Sequence, residues 1–196
     1  MKITAVRLFQ VRGEMAFPGE FWEERLVRPV DIYPEYKVKG AGLLPKIEEG
    51  RYAMRSIWCQ IETDEGAVGV GLGGGGRPGA FCVAHYLAPI LIDENPLDTE
   101  RLWEAMYRAT YRHGQAGIML MAISAVDLAL WDLKGKLAGK RVSELLTAAG
   151  PLSGNKPLDK VRSYASSGCR YDWRRNPEQL ITEALEYVEQ GYTAMK

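Results

Sequence analysis

Branched and aromatic residues cluster near the start of the chain, in ITAVRLFQV at 3–11, and predict a first strand. Across 56–63 the side chains alternate, with Ile57, Cys59 and Ile61 on one side and Trp58, Gln60 and Glu62 on the other. A period of two means a strand with one buried face. Asp64-Glu65-Gly66 supplies a turn in which Gly66 takes a positive φ, and 68–72 returns as the hairpin partner. The spacing then changes to three and four. It predicts helices over 80–91, over 99–111 with Asp98 as N-cap, and over 117–137. In the last, Met119, Ile123, Val126, Leu130, Leu133 and Leu137 share one face. Strands first and helices afterwards indicate an α+β domain, a three-stranded antiparallel sheet plus helices, ending near residue 150.

Beyond the loop at 150–160 the pattern becomes that of a βαβ unit. Residues 161–165 read as a short strand. Asn176 then caps a helix, Pro177 fits its first turn and Gln179 takes the capping-box position. Leu180, Ile181, Ala184, Leu185 and Val188 are expected to face inward, Gly191 stops the helix, and 192–195 begins another strand. Strands joined through a helix should be parallel with a right-handed crossover. Only 46 residues follow residue 150, whereas a full (β/α)8 barrel needs about 200 to 250. The expectation is therefore part of a longer enzyme, 1–150 as one domain and 151–196 as the beginning of a barrel. Taken by itself this length is expected to be inactive.

Charge and composition narrow the function classes. The 25 basic and 25 acidic residues cancel, so the chain lacks the basic surplus of a nucleic-acid binder. No apolar run approaches the roughly 18 residues of a membrane span, and the strand-like opening lacks the charged and apolar regions of a secretion signal. A cytoplasmic protein is expected. Cys59, Cys82 and Cys169 are isolated and odd in number, which makes neither a disulfide framework nor a CxxC pair. They read as reduced packing residues.

Five features are candidates for chemistry. Asp127 and Asp132 interrupt the apolar helix, and an acid so placed should bond to a backbone group or a cation. Five residues apart, they point about 140° from each other, which argues against shared metal ligation. In the same helix Gly135, Ala138 and Gly139 leave room for close approach of another element. Gly71-Leu72-Gly73-Gly74-Gly75-Gly76 satisfies GxGxxG, with Asp93 as a ribose-binding acid, but helices follow where a dinucleotide site needs a parallel strand. A glycine loop is the simpler reading. His85 and His113 lie too far apart for a local metal motif and read as packed or surface residues. Finally, 13–50 has no sustained period yet holds Phe17, Phe21, Trp22, Tyr33 and Tyr36 with Arg25 and Arg28 interspersed, the composition of a lid or of a packed aromatic loop.

Taken together, the first strand, the hairpin Glu65-Gly66 with Val68-Gly69, the helix start Asn95-Pro96-Leu97-Asp98, the stretch AISAVDLALWDLKGKLAGKRVSELL at 122–146 and the run Gly191-Tyr192-Thr193-Ala194-Met195-Lys196 resemble the enolase superfamily. The likeness is to its mandelate racemase and muconate lactonizing enzyme branch. It implies an α+β capping domain over a barrel that binds Mg2+ and a small carboxylate, with the metal ligands downstream of this chain. A base removes the proton α to the carboxylate and the metal stabilises the enediolate. Lys196 matches the first lysine of the family's Lys-x-Lys motif, which usually contacts the substrate carboxylate. Without the family context a strand-end lysine is simply solvated.

The run Arg28-Pro29-Val30-Asp31-Ile32-Tyr33-Pro34-Glu35-Tyr36 looks most like the loop of rhamnonate-type acid-sugar dehydratases, although it lacks the loop histidine such a site implies. On this resemblance Lys196 is the catalytic candidate, and Arg25, Arg28, Tyr33 and Tyr36 are the substrate-binding ones. The implied full-length protein is a homo-oligomeric dehydratase. A racemase, epimerase or cycloisomerase shares its first half-reaction, and a noncatalytic binding or assembly module is the alternative of another class.

Overall fold

The structure, a computed structural model, describes residues 1–17, 29–36, 45–73, 75–148, 154–166 and 177–196. It divides into two compact units, Met1–Arg12 with Arg55–Pro157 and Gly13–Met54 with Leu158–Lys196. The three expected strands are present as β1 (Ile3–Ala16), β3 (Arg51–Thr63) and β4 (Val68–Gly73), joined by a fourth, β2 (Lys46–Glu48). The alternation in β3 is as predicted: Ile57, Cys59 and Ile61 are buried, whereas Trp58 reaches solvent.

Strand β3 is the hub of the sheet. It pairs antiparallel with β4 from Ile57↔Gly73 to Glu62↔Val68, and antiparallel with β2 at Lys46↔Tyr52 and Glu48↔Arg51. Near the start of β1, Lys2 bonds through its backbone to Asp64, and Arg7 pairs with Glu62 at 2.6 Å. At the other end, Glu14 pairs with Arg51. These contacts run β1 against β3 in opposite directions. The segment 13–50, read from sequence as irregular throughout, thus contains the end of β1, the whole of β2 and two 3-10 turns, Pro29–Ile32 and Pro34–Tyr36. A three-residue strand is too short to show a period.

In the first unit the helices cover one face of the sheet. The predicted helix at 80–91 starts earlier and comes in three pieces: α1 (Gly76–Cys82), a wide π turn (Val83–Leu87) and α2 (Ala88–Leu91). Pro89 has no N–H for the carbonyl four residues back, at His85. The π turn sits just ahead of it and absorbs the missing bond. Helix α3 (Thr99–Ala109) begins after Asp98 as expected, but Asp98 caps it without a side-chain hydrogen bond. Leu102 and Met106 carry its buried face.

Helix α4 (Ile118–Ala138) is continuous, and its predicted stripe is buried except at Leu137, which is exposed in the last turn. It ends at Gly139 in the left-handed region, with φ 61°; the N–H groups of Gly139 and Lys140 return to the carbonyls of Lys136 and Gly135. A short helix, α5 (Val142–Ala148), follows, and the Glu144 carboxylate accepts the Arg141 backbone N–H at 2.7 Å at its start.

The close approach foreseen at Gly135, Ala138 and Gly139 is met at Gly135, where a Cβ would stand 3.1 Å from the Lys140 carbonyl oxygen and 3.8 Å from the Val142 side chain of α5, and a tighter one lies elsewhere. Gly135 and Gly139 serve the helix end, while β4 lies against α4 through Gly69 and Gly71. A Cβ on Gly69 would stand 2.1 Å from the Ala129 carbonyl oxygen, and one on Gly71 would stand 1.9 Å from that of Ala125. Only glycine permits this contact. The outer edge of β4 is then closed by side chains of the same helix. Asp132 Oδ2 accepts the Val70 N–H at 2.8 Å, and Lys136 Nζ donates to the Val68 carbonyl at 3.2 Å and to Asp132 at 2.5 Å. These bonds replace part of what a fifth strand would supply. Asp132 therefore finds both the backbone and the cation partner expected of it. Asp127 meets neither among the described residues, and burial raises its pKa.

In the second unit, α6 (Pro177–Glu189) begins at the expected proline. The flanking segments pair in parallel as predicted, among the described residues through the isolated bridge Ala165↔Met195. The inward face predicted for α6 needs correction: Leu180 and Ala184 are half-buried, whereas Ile181, Leu185 and Val188 are 55%, 58% and 62% exposed.

Candidate functional site

The geometry around Lys196 is set by few bonds. Ala165 donates its N–H to the Ala194 carbonyl at 3.0 Å, and Lys196 donates its own to the Ala165 carbonyl at 2.9 Å. This is the slanted pattern of a parallel pair. In that register Ser166 and Lys196 are the next facing positions. Side chains alternate along a strand, so both project to the side opposite Ala165 and Met195. Ala165 is buried, while Ser166 and Lys196 are exposed. Ser166 and Lys196 are thus neighbouring exposed positions on the two paired segments.

Ser166 was missed from sequence because nothing in one strand reveals its register against the next. The same holds for Arg162. Its Nε donates to Thr193 Oγ1 at 2.9 Å and its terminal nitrogen to the Thr193 carbonyl at 2.7 Å. It bridges the two strands three residues before Ala165 and Lys196.

Tyr33 and Tyr36, two of the proposed substrate-binding residues, belong to the same unit and are brought together. Their rings meet edge to face, 6.1 Å between centroids, and each is about half exposed. Pro29 and Pro34 open the two 3-10 turns, which are closed by the Tyr33 N–H on the Val30 carbonyl and the Tyr36 N–H on the Tyr33 carbonyl. Arg25 and Arg28 lie outside the described residues, as do Phe21, Trp22, Gly74, Cys169 and Asn176.

The other sequence candidates take structural places. Asp132 is committed to the β4 edge. Asp93 adopts φ 66° and pairs through its backbone with Ile3, a turn position rather than a ribose ligand. A groove of about 660 Å³ borders the glycine loop, lined by Leu72, Gly73, Gly75, Gly117, Leu120, Met121 and Ser124, with no cation for a phosphate. Together with the antiparallel pairing of β4, this fits a glycine loop and not a dinucleotide cradle. A second groove, about 550 Å³, runs over the β4 edge between Leu72, Leu128, Trp131, Val142 and Leu146 and is mainly apolar.

His85 stacks on Phe81 at 4.2 Å and His113 on Tyr86 at 4.4 Å, both at the surface. Cys59 is a core thiol, its pKa pushed up to about 12 by burial, and Cys82 is half-buried and free. Among the described residues no three His, Cys, Asp or Glu side chains converge as metal ligands. These residues do not fit a Mg2+ site. Nor, among them, is any helix long and apolar enough to cross a membrane.

Comparison with known proteins agrees with this architecture. The chain is 34% identical over 173 residues to an L-rhamnonate dehydratase of Saccharopolyspora erythraea, covering 86% of this chain and 41% of that protein. Among solved structures, it resembles L-rhamnonate dehydratase from Gibberella zeae (28% identity, 85% of this chain and 38% of that one, TM-score 0.62). It also resembles the 3,6-anhydro-D-galactonate cycloisomerase from Zobellia galactanivorans (26% identity, 100% of this chain and 42% of that one, TM-score 0.63). The chain spans about two fifths of the length of the curated relatives it matches. Residues 50–147, the stretch from β3 through the Gly69 and Gly71 contact to α5, match the mandelate racemase / muconate lactonizing enzyme N-terminal domain, and the chain belongs to that family, a branch of the enolase superfamily.

Proposed function

We propose that residues 1–150 are the capping domain and 151–196 the barrel start of a homo-oligomeric, Mg2+-dependent acid-sugar dehydratase. The observation that carries this reading is the parallel bridge Ala165↔Met195, in whose register Ser166 and Lys196 are the next facing positions. Similarity to L-rhamnonate dehydratases over most of the chain supports the substrate class. Removing the proton α to a carboxylate places a second negative charge on an already charged group, so the cation must be in place beforehand. The Lys196 ammonium holds the carboxylate and counters the developing charge, with the Ser166 hydroxyl as a second donor. A base takes the α proton, the β-hydroxyl leaves with a proton as water, and the enol that remains tautomerises to a 2-keto-3-deoxy acid. The reading assigns Mg2+ to acids of the parent enzyme beyond these residues. Tyr33, Tyr36, Arg25 and Arg28 are the residues that select the substrate.

A cycloisomerase is the second reading, favoured by the likeness to the galactonate cycloisomerase across the whole chain. Racemases and epimerases share the same first step. The test is to incubate the full-length parent and Mg2+ with a panel of hexonates and deoxyhexonates in D2O, following products by NMR. A 2-keto-3-deoxy acid is expected. Deuterium at the α carbon of an otherwise intact acid indicates a racemase or epimerase, a ring-opened or ring-closed isomer indicates a cycloisomerase, and no change in any acid leaves a noncatalytic module. Lys196→Met should lower kcat by about a hundredfold or more, because the lost cation acts where charge develops. Near-normal turnover would remove Lys196 from the site.

A further inference from the structure

We infer that Arg162 is a positioning residue for Lys196: its fork on Thr193 locks the second strand in register with the first and so fixes where the ammonium stands. The functional meaning rests on the reading of Lys196 given above, whereas the geometry stands without it.

Among the described residues the two segments share the bridge Ala165↔Met195, held by two backbone hydrogen bonds. A slip of one residue in this pairing turns every side chain of the strand to its other face. Lys196 lies one residue past the bridge and would turn away with it. Arg162 supplies a second point of attachment. It grips the Thr193 hydroxyl through Nε and the Thr193 carbonyl through a terminal nitrogen, at 2.9 and 2.7 Å. Both acceptors are neutral, and among the described residues no carboxylate pairs with Arg162. What the contact provides is direction. A guanidinium holds its donors in one rigid plane, so engaging both atoms of one residue defines the strand's position along its axis and its rotation about that axis. A lysine ammonium, a point donor on a flexible stem, does not reproduce this.

The experiment uses the full-length parent. Amide exchange followed by mass spectrometry on the peptide ending at Lys196 should accelerate about tenfold in Arg162→Ala and less in Thr193→Val, which removes one acceptor and keeps the carbonyl. Turnover of Arg162→Ala should fall about ten- to a hundredfold with KM little changed, and Arg162→Lys should not restore it. In a Lys196→Met background, Arg162→Ala should cause no further loss, since the group it positions is gone. Equal losses with and without Lys196 would mean a general structural role and overturn the inference. Unchanged exchange in Arg162→Ala would overturn it too, and Thr193→Val supplies the same readout should the arginine variant fail to fold. Near-normal turnover of Lys196→Met, by contrast, overturns the functional reading, and the exchange result still decides whether Arg162 holds the register.

Discussion

Gly69 and Gly71 each remove a Cβ that would collide with the backbone of α4, at 2.1 and 1.9 Å from its carbonyl oxygens. The obstacle is backbone, so it cannot rotate aside. Gly69→Ala and Gly71→Ala should each cost about 3 kcal/mol or more, the upper range for forced overpacking. Gly13→Ala is the control, because a Cβ there meets nothing within 4 Å. Urea unfolding of the three variants checks this, and a Gly71→Ala midpoint equal to that of Gly13→Ala would sink the close-contact account. Asp127 makes a different prediction. Burial raises its folded pKa, so as pH rises the unfolded carboxylate ionises first and the folded state then bears the cost of charging it. Stability from this group is lost as pH climbs from the ordinary carboxylate range through the raised value. Asp127→Asn should therefore raise the urea midpoint at pH 7 and leave it nearly unchanged near pH 3. A gain of the same size at both pH values would show that charge is not the cause.

The helical stripe was legible because residues from Met119 to Leu133 repeat at the helical period and are buried together. Leu137 carried the same signal yet lies in the last turn, where period alone does not tell whether a partner reaches. The π turn left no periodic trace, although Pro89 inside an apolar helix marked that something there had to give. Nor did anything in the sequence tie Asp132 to β4. That bond predicts an effect confined to one edge. Asp132→Ala leaves the Val70 N–H without its acceptor and should cost about 1 to 3 kcal/mol. Faster amide exchange at Val70 than at Gly71, read by NMR, separates this from general loosening; equal acceleration along β4 would count against it. At the end of α4, Gly139→Ala should cost about 1 kcal/mol, since φ 61° suits glycine and strains alanine.

At the scale of the whole molecule, the described residues bring no cluster of three metal-ligating side chains together. Isothermal calorimetry of the 196-residue chain with Mg2+ should show no tight one-site binding, because an isolated carboxylate leaves the ion largely hydrated. Tight binding with retained dehydratase activity would overturn the division of labour proposed for the parent. In that parent, Arg28→Ala should mainly raise KM and reorder preference among acid sugars, the mark of a loop that holds the distal part of the substrate. An unchanged ranking on the hexonate panel would return the loop to a packing role.

The order of strands and helices, the buried faces of β3 and most of α4, and the parallel sense of the βαβ unit were all determined by the sequence itself. Each follows from a local period or from a connection too constrained to run otherwise. Tertiary structure alone decided that α4 meets β4 at two glycines, that Asp132 closes a strand edge while Asp127 finds no partner among the described residues, and that Arg162 bonds Thr193 across the parallel bridge. Those relations join residues far apart in the chain, and their partners are set by packing and register, which no local pattern of hydrophobic and polar positions encodes.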